Sequence, residues 1–185
     1  MTETNRYALI QRLLHWLIAL LVLGTLGVGM ILGFLGFEGT QETFGKTVTN
    51  ALYTGHKTFG IMILALMLLR LGFRLALGAP PYQPPLTGFE RVASRAVHDL
   101  LYMVLLAQPV LGWLATAAGG YPVQFFAWNL PGLTGKNQAL SEMLFSLHEM
   151  AGWVIAGLLV LHIGGAMQHW LIKRDSVMTR MSLFN

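Results

Sequence analysis

Long apolar runs alternate with short polar, glycine-rich or proline-rich stretches along this chain. A helix of about 20 apolar residues crosses a hydrocarbon core of about 30 Å, and four runs are long enough to do so. They cover about residues 8–37, 52–77, 89–118 and 141–173. Between the first two, Glu38–Thr49 carries Glu38, Glu42 and Lys46 and reads as a polar loop. Gly78–Gly88, GAPPYQPPLTG, cannot continue a helix through its prolines. Pro109 is expected to kink the third run. Gly119–Ala139 holds too many glycines and prolines for a fifth span, and its core PVQFFAWNL reads as an aromatic stretch lying at the membrane interface. The first run lacks a small-residue cleavage site after a short apolar core, so it is read as a retained span. The pattern predicts an all-α integral membrane protein: a single domain over residues 1–185, built as a four-transmembrane-helix bundle in membrane lipid.

Composition agrees: 55% of the 185 residues are hydrophobic and only 11% charged, which excludes an ordinary soluble domain. There is no cysteine. That removes disulfides, iron–sulfur clusters, thiolate zinc and the covalent attachment of c-type haem. The +4 net charge matters less than its placement. Arg6, Arg12, Arg70, Arg74, Arg91, Arg95, Lys173, Arg174 and Arg180 fall on one side of the four spans, and only Lys46, Lys57 and Lys136 on the other. The positive-inside rule then puts both termini in the cytoplasm. No segment points to a nucleic acid partner.

Ionisable side chains inside a span are costly and mark function by default. His148 and His162 lie 14 residues apart in the last span, which is about 40° from one face and about 21 Å along the axis. His15 and His162 lie at similar depths from the cytoplasmic edge, and His56 and His148 at similar depths from the outer edge. The spans therefore supply two levels of imidazole pairs, His15 with His162 and His56 with His148. Such pairs in a helical bundle without cysteine suit two haem b groups, each iron held axially by imidazoles from facing helices. Hydrogen-bonded histidine packing is the competing reading. Zinc and di-iron carboxylate sites are poorer ones, because no core carboxylate has the spacing to join these imidazoles.

Other residues fall around this frame. Gly60 follows His56 by one turn and Gly152 follows His148 by one turn, where a missing side chain lets a flat macrocycle, or a neighbouring helix, lie close. Gly24, Gly27, Gly164 and Gly165 offer the same at the inner level. Arg12 at the inner edge and Lys57 at the outer edge can meet haem propionates. His98 is a competing inner ligand, although Arg95 and Asp99 mark it as part of a polar edge. His169 lies two turns beyond His162 on nearly the same face. It is too shallow for the haem level and better placed to hydrogen-bond a quinone carbonyl. No residue is assigned a catalytic role from sequence.

Several of these pieces resemble the bacterial cytochrome b561 family: LLHWL around His15, TGHKTFG around His56 followed by LMLLRLGFR, the PPYQPP loop, RAVHDLLY around His98, and LHEMAGWVIAGLLVLH from His148 to His162. The resemblance covers nearly the whole chain. It implies an electron-transport protein of the bacterial inner membrane with two iron-containing haems. Their metal ligands would be His15 and His162 for the inner haem and His56 and His148 for the outer one. It also implies an oxidoreductase activity like that of the superoxide oxidases, which take electrons from superoxide at the periplasmic face and reduce ubiquinone. Where that type has two adjacent histidines near the inner end of the last span, this chain has Gln168–His169. Related cytochromes b serve as membrane subunits that relay electrons to quinone from a partner dehydrogenase, of the hydrogenase or formate dehydrogenase type. That is the alternative function, with a periplasmic electron donor in place of superoxide. A haem-free transporter or structural bundle is a third. Small lipid-facing residues would also permit a homo-dimer.

Overall fold

A computed structural model describes residues 5–184. Three helices are long and apolar enough to cross a membrane: α1 (Leu9–Leu77), α2 (Gly88–Ala118) and α3 (Gln138–Met167), the last continued by a π-helical turn over Gln168–Lys173. A two-stranded antiparallel hairpin, β1 (Val123–Phe125) and β2 (Trp128–Leu130), separates α2 from α3. A single 3₁₀ turn, Met178–Arg180, lies in the tail.

At 1.5 Å per residue, 69 helical residues would stretch about 100 Å, some three times a bilayer core. Instead α1 doubles back on itself. It breaks at Gly36 (φ 66°) and Gly45 (φ 76°), a backbone region that glycine enters without steric cost. The Gln11 side chain donates to the Phe73 and Gly78 carbonyls, and Arg70 Nη1 donates to the Gln11 carbonyl at 3.0 Å. The two halves of α1 thus run side by side.

Residues 37–44 between the breaks are helical rather than the polar loop expected from their charges. Threonines stabilise this connector. Thr40 Oγ1 donates to the Gly36 carbonyl at 2.5 Å, Thr43 to that of Gly39 at 2.7 Å and Thr49 to that of Gly45 at 2.9 Å. Thr40 and Thr49 are fully buried. Each hydroxyl bonds back to the glycine carbonyl four residues earlier.

Local sequence sets the other helix ends. Thr87 and Glu90 form a reciprocal capping box at the start of α2, with Thr87 Oγ1 accepting from the Glu90 N–H and Glu90 Oε2 accepting from the Thr87 N–H. Asn137 Oδ1 caps α3 by accepting from the Leu140 N–H at 3.1 Å. The helix α2 runs on through Pro109 to Gly119.

The aromatic stretch between α2 and α3, expected at the interface, forms the β hairpin. It is tied to the second half of α1: the Phe126 N–H donates to Thr58 Oγ1, Thr54 Oγ1 donates to Gln124 Oε1, and Lys57 Nζ donates to the Pro122 carbonyl. Tyr121, Phe126 and Trp128 remain exposed, as rings at a membrane interface would.

The core is small. Leu14, Ile18 and Val22 repeat at four-residue spacing on the first half of α1 and pack against Ile63, Met67 and Ile155. Much of the remaining apolar surface faces outward, with Phe34 at 90% exposure. For a chain with three such helices this is a lipid-facing surface, and the protein is an integral membrane protein.

On the end that holds both termini, the tail docks by polar contacts. Arg180 is buried and donates to the Pro80 carbonyl, with its guanidinium 3.7 Å from the Tyr82 ring centre. Arg6 and Arg12 both donate to the Ser182 carbonyl, and Trp16 Nε1 donates to that of Met181.

Candidate functional site

The histidines converge in two places. His15 and His162 face one another with ring centres 6.0 Å apart and planes crossed at 75°. His56 and His148 do the same at 6.0 Å and 79°. Both pairs draw one imidazole from α1 and one from α3, so the doubling back of α1 creates the two levels.

Metal–imidazole bonds of about 2 Å, with half a ring on either side, put the centres of two trans imidazoles roughly 6 Å apart. Both pairs have this separation. Among the described residues no group of three or more His, Cys, Asp or Glu side chains could hold a bare metal ion. Two nitrogens per site fit an iron whose other four donors come from a macrocycle. His56 Nδ1 is a buried nitrogen without a hydrogen-bond partner.

The supporting contacts of the two sites differ. At the outer site, His148 Nδ1 lies 3.0 Å from the Gln108 carbonyl, which can only accept, so Nδ1 carries the proton and Nε2 is bare. The Gln108 side-chain amide returns a hydrogen bond to the His148 carbonyl at 2.9 Å. A Cβ built on Gly112 would stand 2.9 Å from His148 Cε1, and one built on Gly29 would stand 2.8 Å from His56 Cε1. Each outer ring therefore lies against a glycine of a facing helix.

The glycines singled out from sequence sit differently. A Cβ on Gly60 would meet no atom within 4 Å, and neither would one on Gly24, Gly27, Gly164 or Gly165. One on Gly152 would touch the Gln108 amide at 3.6 Å. Gly29 and Gly112 were not distinguishable among 21 glycines, because what sets them apart is a ring from another helix.

At the inner site a third imidazole is present. His98 lies 5.0 Å from His162, centre to centre, with planes at 90°. Its Nδ1 donates to the Ser94 carbonyl at 2.6 Å, leaving Nε2 bare. The ring of His98 therefore belongs to the imidazole cluster and not only to a polar edge. Trp16 stacks edge-on to His15 with ring centres 5.4 Å apart.

The cations have protein partners of their own. Arg12 Nη1 donates to the Ser182 carbonyl at 2.7 Å, and Lys57 Nζ to that of Pro122 at 3.1 Å. His169, in the π-helical turn, binds the Asp175 carboxylate through Nδ1 at 2.5 Å. Partial burial alone would raise the Asp175 carboxyl. The hydrogen bonds from His169 and the Val177 N–H, with the charges of His169 and Lys173, outweigh it and hold the group below the usual carboxylate range. The carboxylate contact is thus complete above that range and is lost only as pH falls through the lowered value.

The family model of prokaryotic cytochrome b561 matches residues 6–182. The chain belongs to that family. Cytochrome b561 homolog 2 of Escherichia coli K12 is 28% identical over 98% of this chain and 95% of its own length. Cytochrome b561 homolog 1 of the same organism is 27% identical over 96% and 97%. A probable superoxide oxidase, CybB, of Yersinia pestis is 24% identical over 96% of each chain. Membership in the cytochrome b561 family makes this a membrane electron-transfer protein and implies b-type haem.

Proposed function

We propose that the chain is a four-span, two-haem cytochrome b that carries electrons from superoxide at the periplasmic face to ubiquinone in the membrane. The observation that carries this reading is the pair of 6.0 Å imidazole couples stacked along α3. The halves of α1, together with α2 and α3, are the four spans, with both termini cytoplasmic. His15 and His162 ligate the inner iron, and His56 and His148 the outer one. Bound haem supplies a reversible one-electron iron couple at each level.

The side chains supply the rest. His148 and His162 fix the two levels about 21 Å apart on one rigid helix. Lys57 and Lys136 at the outer rim attract a small anion. Two superoxide ions each give up one electron and leave as dioxygen; one ubiquinone takes both electrons and two protons to become the quinol. His169, oriented by Asp175 through Nδ1, presents its bare Nε2 to accept a hydrogen bond from the quinol hydroxyl. The similarity to a probable superoxide oxidase supports superoxide as the donor.

Stopped-flow mixing of the purified protein with superoxide tests the reading. The b-type spectrum is expected to become reduced within the mixing experiment, and added ubiquinone to reoxidise it. Reduction no faster with superoxide than without it would remove the donor. Co-purification of a large periplasmic subunit would replace superoxide with a partner dehydrogenase.

A further inference from the structure

The outer level contains one device twice. Gly112 follows Gln108 by one helical turn, and the ring of His148 rests on the glycine with Nδ1 on the Gln108 carbonyl. Gly29 follows Thr25 by one turn, and the ring of His56 rests on that glycine beside the Thr25 carbonyl. Here Nδ1 falls outside hydrogen-bond geometry and is otherwise unpaired. In both cases Cε1 is the ring atom nearest a Cβ built on the glycine, with Nδ1 next (3.2 Å at Gly112, 3.4 Å at Gly29) and Nε2 third at 3.7 Å. The two seats come from different helices, α1 and α2, and hold rings from opposite sides of the pair. Gly164 and Gly165, which follow His162 at the inner level, touch no ring, and neither do Gly24 and Gly27 nearer the outer one.

A carbonyl inside a helix is normally shielded by the side chain one turn later. Glycine at that place opens the carbonyl's second lone pair to a side chain from a neighbouring helix. An imidazole that donates Nδ1–H there has its tautomer fixed, its Nε2 bare, and its donor strength raised.

We propose that Gly29 and Gly112 are positioning residues for the two outer axial imidazoles, seating each ring against a facing helix so that Nδ1 is turned to a backbone carbonyl and Nε2 to the iron. This rests on the ligand pairing proposed above. The consequence is an outer centre whose ligands are both stiffly held and one of which, His148, is made a stronger donor by its bond to the Gln108 carbonyl, and so a lower reduction potential than the same ligands would give unseated. The inner centre lacks that constraint.

The test is a redox titration, followed by optical and low-temperature EPR spectra, of the full chain carrying Gly112→Ala or Gly29→Ala. Gly33→Ala, one turn from Gly29 and touching nothing within 4 Å, is the control. Each seat variant is expected to keep both haems, raise one midpoint potential and shift one low-spin EPR signal, while the control moves neither. Where Gly112→Ala does not accumulate, the double variant Gly112→Ala/His148→Gly is expected to accumulate with one haem, because the added methyl clashes only with the ring. Its failure to accumulate where His148→Gly alone accumulates would show that the glycine serves helix packing alone and would overturn the proposal. Unchanged potentials and EPR signals in a two-haem seat variant would overturn it as well, leaving the ligand pairing intact. A wild-type protein without two b haems would instead fail the pairing itself.

Discussion

Replacing His162 by alanine is expected to remove the inner haem and leave the outer one, so that haem per chain falls by half. The His162 ring faces His15 at 6.0 Å and His98 at 5.0 Å, and no outer-site ring touches it. Among the described residues the His162 side chain makes no hydrogen bond that holds α3 in place, so the fold should survive. The outer pair keeps the Gln108 clamp on His148, which does not involve His162. Pyridine haemochrome measurement against protein concentration reads the result directly. A folded variant that retained both haems would refute the pairing of His15 with His162. His98, whose bare Nε2 is the nearest substitute donor, would be the next residue to replace.

The second large effect is expected at the outer level. His56→Ala should abolish superoxide-driven ubiquinone reduction, while quinol still reduces the haem that remains. His56 is the better choice than His148. Its Nδ1 makes no hydrogen bond, so removing it deprives no protein group of a partner, whereas His148 is hydrogen-bonded to α2 through Gln108. Without the outer centre an electron would have to cross about 21 Å in one step, and tunnelling falls steeply with distance. Stopped-flow rates with superoxide, set beside equilibrium reduction by quinol, separate the two halves of the path. Undiminished superoxide-driven turnover in the variant would show that electrons enter elsewhere.

The two histidine levels were legible because depth in a membrane helix is counted along the sequence. Edges marked by arginines and polar residues gave His15, His56, His148 and His162 their heights, and the structure brings the same residues face to face. What the linear pattern could not display is what depends on a neighbouring chain segment. Glu38–Thr49 has loop-like charges, yet it is helical apart from the break at Gly45, with Thr40 and Thr49 fully buried by packing that the linear pattern does not show. The hairpin of residues 123–130 is held by Thr54, Lys57 and Thr58, which lie 65 to 70 positions away in sequence. His98 has Arg95 and Asp99 as sequence neighbours, but its ring lies against His162. Arg12 and Lys57 carry the charges expected at the two edges, and both also hold backbone carbonyls of the tail and the hairpin.

The most direct measurement is the haem content of the purified wild-type chain, taken with an equilibrium redox titration. Two b haems per chain, titrating as two one-electron steps with low-spin spectra, are predicted. One haem or none in the folded protein would contradict the account, because one or both of the facing imidazole couples would then hold no iron.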